Sequence, residues 1–229
     1  MSDLRYSCIL FDLDGTVIDT VSDCAAAINR TMKSFGFPLH TEDEVRSYLN
    51  NGARRLIKCA VPESCRTDEK MIDRVLAEYI DNYSEECVKS SVIYPGISDL
   101  LSELHLRGAA LGVVTNKPDV QTKIMIPHYF GGIFGYYEGN SDSAPTKPDG
   151  MRVKMALCAL NKKKEQTLFV GDSWVDVETA KNGGVPCIGV AWGFGGIDGF
   201  GSHALAPDYI AVKPQEILDI AEKGFPQLQ

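Results

Sequence analysis

The segment that decides the fold is Ser7-Cys8-Ile9-Leu10-Phe11-Asp12-Leu13-Asp14-Gly15-Thr16. Its first half is apolar and rich in residues that favour strands, and its second half joins two acids to a glycine, which is typical of a turn. This order predicts a buried strand with an exposed carboxyl end. Because side chains alternate along a strand, Asp12 and Asp14 point the same way unless the turn rotates one of them.

Three further segments repeat this signature of an apolar run followed by polar residues or glycine. They are residues 109–114, 167–170 and 186–190, and helical patterns lie at residues 97–107, 119–129, 150–160 and 175–182. Alternating strands and helices predict an α/β fold, a doubly wound parallel sheet with a Rossmann-like core. In such sheets ligands bind beyond the carboxyl ends of the strands.

Residues 19–90 interrupt this alternation. They contain helical patterns at residues 20–35, 41–49, 53–60 and 67–86 and no convincing strand. A connection of about 70 residues is far longer than an ordinary loop between a strand and a helix. The sequence therefore predicts an inserted α-helical domain over 19–90, with residues 1–18 and 91–229 forming the core that holds the sheet.

The composition limits the classes of partner. In 229 residues, 44% are hydrophobic and 24% charged, which is ordinary for a globular protein. A net charge of −8 argues against a nucleic-acid partner. No apolar run approaches the roughly 20 residues of a membrane span, and no signal-like segment begins the chain. An odd set of seven cysteines without a C-x-x-C pair indicates reduced thiols. We expect a cytoplasmic monomer or homodimer that binds neither nucleic acid nor membrane.

Asp12 and Asp14 offer two kinds of chemistry. Two carboxylates beside backbone carbonyls form a hard-oxygen site that suits Mg²⁺. Neighbouring carboxylates also repel, so a cation must offset their charge or one of them must keep a proton. That division suits a nucleophile paired with an acid/base. The alternative is a simple turn, since Asp-x-Asp-Gly occurs in many turns.

The other predicted strand ends and one loop carry matching groups. Thr115 and Asn116 can donate hydrogen bonds to phosphate oxygens, or they can cap the next helix. Lys147 lies in a loop before a helix, where it can neutralise phosphate, or it is an ordinary surface lysine. Asp172 and Asp176 suit direct and supporting metal ligation, or helix capping. Each of these positions falls at one predicted edge of the sheet, which favours a common site.

Taken together, these motifs resemble those of the haloacid dehalogenase-like phosphohydrolases, and the resemblance covers nearly the whole chain. It extends to the helical insertion, which corresponds to the cap domain of that family. The resemblance implies that Asp12 is the nucleophile and a Mg²⁺ ligand. It implies that Asp14 is the acid/base and offers its backbone carbonyl to the metal.

The same resemblance gives roles to the remaining site residues. Thr115 and Lys147 are expected to bind the transferring phosphoryl group, and Asn116 to add a donor beside Thr115. Asp172 is expected to ligate Mg²⁺ directly, with Asp176 in support. The second acid and the Asp172/Asp176 pair would have no task in a dehalogenase, so a phosphatase acting on a small phosphorylated metabolite is expected.

Within the family, the sequence is most similar to phosphoglycolate phosphatases. The similarity lies in Asp19-Thr20, in Asn51-Gly52-Ala53-Arg54-Arg55-Leu56 and in Trp192-Gly193-Phe194. It implies 2-phosphoglycolate as substrate. Arg54 or Arg55 could then hold the substrate carboxylate with paired hydrogen bonds. The alternative is that both arginines lie on a solvated helix face.

Other functions fit the same motifs. A sugar-phosphate mutase, a pyrophosphatase or a phosphatase of another small metabolite could use this scaffold. From a different class, the chain could be a catalytically silent binding or regulatory protein that kept the fold. The joint presence of Asp12, Asp14, Lys147, Asp172 and Asp176 argues against a silent protein.

Overall fold

A computed structural model of the chain describes residues 4–49, 52–201 and 205–226. The strands are β1 Cys8–Phe11, β2 Ile18–Asp19, β3 Val92–Ile93, β4 Ala110–Pro118, β5 Tyr136–Asn140, β6 Thr167–Gly171, β7 Cys187–Val190 and β8 Tyr209–Ala211. Six of them form one parallel sheet in the order β5-β4-β1-β6-β7-β8. The predicted α/β fold with a doubly wound parallel sheet is confirmed.

Helices account for most of the remaining regular structure. They are α1 Val21–Ser34, α2 Glu42–Tyr48, α3 Gly52–Ala60, α4 Glu69–Glu86, α5 Ile97–Leu106, α6 Asp119–Phe130, α7 Met151–Ala159, α8 Trp174–Gly183, α9 Asp198–Gly201 and α10 Pro214–Lys223. Short 3₁₀ turns occupy Glu63–Cys65 and Lys164–Gln166. No helix in the described ranges is long and apolar enough to cross a membrane.

Strand β1 lies at the centre of the sheet because it is apolar on both faces. Cys8 pairs in parallel with Ala110 of β4 on one side and with Thr167 of β6 on the other. Ile9 packs in one buried cluster and Leu10 in another, as alternation requires when both faces of a sheet are covered. The residues that follow β1 therefore emerge at the middle of the carboxyl edge.

The sequence analysis missed the two outermost strands. β5 reads Tyr-Tyr-Glu-Gly-Asn and only its glycine is buried, while β8 has only three residues. An edge strand needs only one buried face and one partner, so neither strand carries the apolar run that identifies a central strand.

Four helices, α1 to α4, occupy the segment predicted to be an insertion. The chain enters and leaves this segment through β2 and β3, which pair antiparallel. Asp23 of α1 reinforces the junction, because its buried carboxylate accepts hydrogen bonds from the backbone N–H groups of Ser90 and Ser91 and from the Ser91 hydroxyl. The division of the chain into a core and a cap domain stays a prediction.

Candidate active site

The carboxyl ends of β1 and β6 bring three acids together. Asp12 directly follows β1 and Asp172 directly follows β6, while Asp176 lies in the first turn of α8. All three are buried, and one carboxylate oxygen from each lies within 4.8 Å of the others. The backbone N–H of Leu13 donates to Asp12 Oδ1 at 2.7 Å, which fixes that carboxylate against the turn.

Lys147 lies inside this cluster. Its Nζ is 2.9 Å from Asp12 Oδ1 and 2.6 Å from Asp176 Oδ1, and only 5% of the residue is exposed. Lys147 is therefore not the surface lysine that the sequence left open. Asn116 holds its backbone, since the Asn116 amide donates to Lys147 O at 3.0 Å and its Oδ1 accepts from Lys147 N at 2.8 Å. The Asn116 side chain, expected to face a phosphate, thus positions the lysine.

Arg152 fixes the loop that leads to Lys147. It is fully buried on α7, and its guanidinium donates to four backbone carbonyls. The acceptors are Gly139 at 2.8 Å, Ser141 at 3.1 Å, Ala144 at 2.9 Å and Pro145 at 3.0 Å. The sequence analysis missed Arg152 because it belongs to no motif; its one signal is an arginine within a helical apolar pattern.

Burial and crowding set the electrostatics of the cluster. Burial raises the pKa of Asp12 to about 6, although Lys147 and the Thr115 hydrogen bond lower it. Burial also raises the pKa of Asp172 well above its usual range, and the nearby Asp176 and Asp12 raise it further. Burial disfavours the Lys147 ammonium, but Asp12 and Asp176 outweigh this and raise its pKa. Lys147 pairs with Asp12 and Asp176, and a proton or a further cation would offset the negative charge that remains among the three carboxylates.

The donor set fits a hard divalent cation, because carboxylate oxygens are the ligands such ions prefer. Asp176 is held at both of its carboxylate oxygens. Its Oδ1 accepts from Lys147, and its Oδ2 accepts from the Ser173 backbone N–H at 3.1 Å and hydroxyl at 2.7 Å. Asp172 Oδ2 accepts from Phe194 N at 2.9 Å. These bonds fix the orientation of the Asp176 and Asp172 carboxylates.

Asp14 lies apart from this cluster. Its Oδ1 accepts from the Thr20 hydroxyl at 2.9 Å and from Lys117 Nζ at 2.7 Å. Lys117 Nζ also donates to the Tyr83 hydroxyl of α4 at 2.6 Å. The turn after β1 thus gives the two acids different partners, Lys147 for Asp12 and Lys117 for Asp14. The sequence analysis did not include Lys117 among the site residues and missed this role of its ammonium.

These groups line one small pocket of about 50 Å³. Its side on the sheet, which we call the floor, includes Asp12, Asp14, Thr115, Asn116, Lys117 and Lys147. Its side on the helical segment, which we call the roof, includes Cys24, Leu49, Leu56, Tyr79 and Tyr83. Sequence reasoning identified five of the six floor residues as site residues, and none of these five roof residues.

The two arginines predicted to bind substrate lie elsewhere on α3. Arg54 is exposed and forms ion pairs with Glu69 and Asp73, the latter at 2.6 Å. It borders a separate, wider groove that also reaches Asn116 and Lys147. Arg55 is exposed. Asn51, from the same motif, lies outside the described residues.

Known proteins resemble this chain in sequence. Residues 9–190 match the family model described as haloacid dehalogenase-like hydrolase. The phosphoglycolate phosphatase of Vibrio vulnificus strain CMCP6 is 34% identical, over 96% of this chain and 98% of that protein. The phosphoglycolate phosphatase of Pseudomonas putida is 33% identical, over 81% of this chain and 70% of that protein.

Solved structures share the fold. A predicted phosphoglycolate phosphatase from Haemophilus somnus 129PT superposes with a TM-score of 0.81 at 27% identity, covering 94% of this chain and 98% of that one. CbbY from Rhodobacter sphaeroides, in complex with phosphate, superposes with a TM-score of 0.74 at 22% identity, covering 93% and 96%. The second likeness supports the fold alone.

Proposed function

Because the chain belongs to the haloacid dehalogenase-like hydrolase family and is a phosphatase, we propose that it hydrolyses a small phosphorylated metabolite, first of all 2-phosphoglycolate, through an aspartyl phosphate on Asp12. The proposal includes dependence on Mg²⁺. The single observation that carries it is the Lys147 ammonium, buried between Asp12 and Asp176 and within 2.9 Å of both. A cation at that place can offset charge on a phosphoryl group as it moves to Asp12.

In the first step a carboxylate oxygen of Asp12 attacks phosphorus, and the bond from phosphorus to the ester oxygen breaks. Lys147 and the Thr115 hydroxyl are placed to donate to phosphoryl oxygens, since both already contact Asp12. Asp14 gives a proton to the leaving oxygen, so that a neutral alcohol departs. Its separate partners, Thr20 and Lys117, orient it for this task.

In the second step Asp14, now a carboxylate, takes a proton from water. The resulting hydroxide attacks phosphorus, the bond to Asp12 breaks and inorganic phosphate leaves. Asp14 ends protonated, so the site is ready for another turnover. The two steps need an acid that exchanges protons and a nucleophile that does not, so the two aspartates act in different ways.

Mg²⁺ would be held by Asp12, by Asp172 and by the backbone carbonyl of Asp14, with Asp176 in support. When bound, it would offset negative charge on the phosphoryl oxygens and on the carboxylates. The excess of buried carboxylates over ammonium groups in this cluster is what favours such an ion.

The proposed substrate rests on the relatives. Two relatives at 33–34% identity are named phosphoglycolate phosphatase. The proposal keeps residues 19–90 as a cap domain over a core of 1–18 and 91–229. It also keeps the cytoplasm as location, where the seven free thiols would stay reduced.

The test is a panel of phosphomonoesters assayed with purified protein. We expect 2-phosphoglycolate to give the highest kcat/KM, above sugar phosphates and pyrophosphate. Exhaustive chelation should abolish release of phosphate, added Mg²⁺ should restore it, and Ca²⁺ should inhibit because its looser coordination would disturb the attacking geometry of Asp12. Full activity after chelation would contradict the proposed dependence on Mg²⁺. If no ester in the panel were hydrolysed, the result would support a catalytically silent binding protein.

A further inference from the structure

We propose that Lys117, held by Tyr83, is the subsite that binds an anionic group of the leaving alcohol, such as the carboxylate of phosphoglycolate. The inference rests on the proposed function, since it names how the same site selects its substrate. It gives the enzyme a class of substrate: short phosphomonoesters with a carboxylate next to the ester carbon.

The position of Lys117 relative to Asp14 is the first argument. Lys117 Nζ lies 2.7 Å from Asp14 Oδ1. If Asp14 protonates the ester oxygen, that oxygen lies within hydrogen-bond reach of Asp14 and hence close to Lys117. In glycolate the carboxylate carbon is only two bonds from the ester oxygen, so a short acidic leaving group would meet this ammonium.

The surroundings of Lys117 are the second argument. Two ammonium groups line the pocket, and Lys147 already lies with Asp12 and Asp176 at the phosphoryl end. The roof supplies apolar side chains and the phenols of Tyr79 and Tyr83, whose pKa values burial raises well above their usual range, so that both stay neutral. An anion at that end of the pocket would find its charge partner in Lys117.

The hydrogen bonds of Lys117 are the third argument. A lysine ammonium has three donors, and the described bonds to Asp14 and Tyr83 use two. The centroid of the Tyr83 ring also lies 4.5 Å from Nζ. Tyr83 belongs to α4 and Lys117 to β4, so the subsite is complete only where helical segment and sheet meet.

A simpler interpretation is that Lys117 serves only as the counter-ion of Asp14. The two readings separate when 2-phosphoglycolate is compared with 2-hydroxyethyl phosphate, which has the same chain but ends in a neutral hydroxyl. A counter-ion affects both substrates alike, because both need the proton of Asp14. A carboxylate subsite affects their ratio.

The experiment measures kcat/KM for both esters in the wild type, Lys117→Met, Tyr83→Phe and Lys123→Met. Lys123 is an exposed lysine of α6 and serves as the matched control. We expect Lys117→Met to reduce the preference for 2-phosphoglycolate by about 30-fold or more, as loss of a charged hydrogen bond would. Tyr83→Phe should reduce it by a few-fold, and Lys123→Met should leave it unchanged.

A second measurement avoids catalysis. 3-Phosphonopropionate, a non-hydrolysable carbon analogue of 2-phosphoglycolate, should bind the wild type more tightly than propylphosphonate does, and Lys117→Met should erase this difference. If Lys117→Met does not fold, Lys117→Gln makes the same comparison with two N–H donors in place of three and the charge removed. The inference is overturned if the variant without the Lys117 charge still prefers 2-phosphoglycolate and 3-phosphonopropionate to their neutral counterparts. The proposed function would then still stand. A wild type that does not prefer carboxylates overturns both.

Discussion

The floor and the roof of the pocket differ in charge: the charged groups that line the pocket lie on the floor, whereas the named roof residues are apolar or neutral. On the floor, Asp14 pairs with Lys117 at 2.7 Å, and Asp12 pairs with Lys147 at 2.9 Å. The charged groups of the helical segment instead pair on its surface, as Arg54 does with Glu69 and Asp73. Buried charges keep a fixed geometry because leaving them unpaired is costly, whereas exposed pairs are screened by water. The floor is therefore suited to chemistry and the roof to selection.

The largest effect should come from Asp12→Asn on the floor. An amide is a poor nucleophile, so we expect kcat to fall by more than about 10⁴-fold with every substrate. Rapid-quench labelling with radioactive phosphate should find no phosphoenzyme. A label on another side chain of this variant would show that the floor uses a different nucleophile.

Asp14→Asn should fail differently from Asp12→Asn. The amide cannot exchange a proton, so kcat should fall by about 10²–10⁴-fold with an alkyl ester. An aryl phosphate, whose leaving group needs little protonation, should still phosphorylate Asp12, and the trapped phosphoenzyme should then hydrolyse slowly. Equal loss with alkyl and aryl esters in rapid-quench assays would contradict a role for Asp14 in proton transfer.

Arg152→Met tests whether the floor depends on a group that contacts no substrate. Loss of the buried guanidinium leaves four backbone carbonyls without their donor, and we expect the free energy of unfolding to fall by about 2–4 kcal/mol. The loop to Lys147 should loosen and kcat fall by about tenfold, by the sensitivity of catalysis to small displacements. Lys154→Met, an exposed change on the same helix, is the control. Urea unfolding and measurement of kcat check this prediction. An Arg152→Met variant as stable as the wild type would contradict it.

The sequence predicts a site residue well when the pattern that identifies it is local, and poorly when its contacts join residues far apart along the chain. The acids after β1 and β6 follow apolar runs directly, so local pattern locates them and topology gathers them. Lys117 contacts Tyr83, 34 residues away, and Asp14, 103 residues away. No local pattern encodes such pairs, and the same holds for the carbonyls around Arg152. The sequence predicts the central strands, most of the helices and the motif residues, but neither the two outermost strands nor the side chains that hold the motif residues in place.

The smallest effect should come from Arg54→Met above the floor. Sequence similarity assigns Arg54 or Arg55 to the substrate carboxylate, but Glu69 and Asp73 already pair with Arg54 and the side chain is exposed. Exposed pairs contribute little, so stability should hardly change. We expect kcat/KM for 2-phosphoglycolate to change by less than about threefold, and the ratio to 2-hydroxyethyl phosphate not at all. Arg55→Met is the matched change, one residue along the same helix.

If either variant lowered the rate with 2-phosphoglycolate tenfold and spared the neutral ester, selection of the carboxylate would belong to α3 and not to Lys117. The wider groove beside Lys147 would then be the path by which the arginine reaches the substrate.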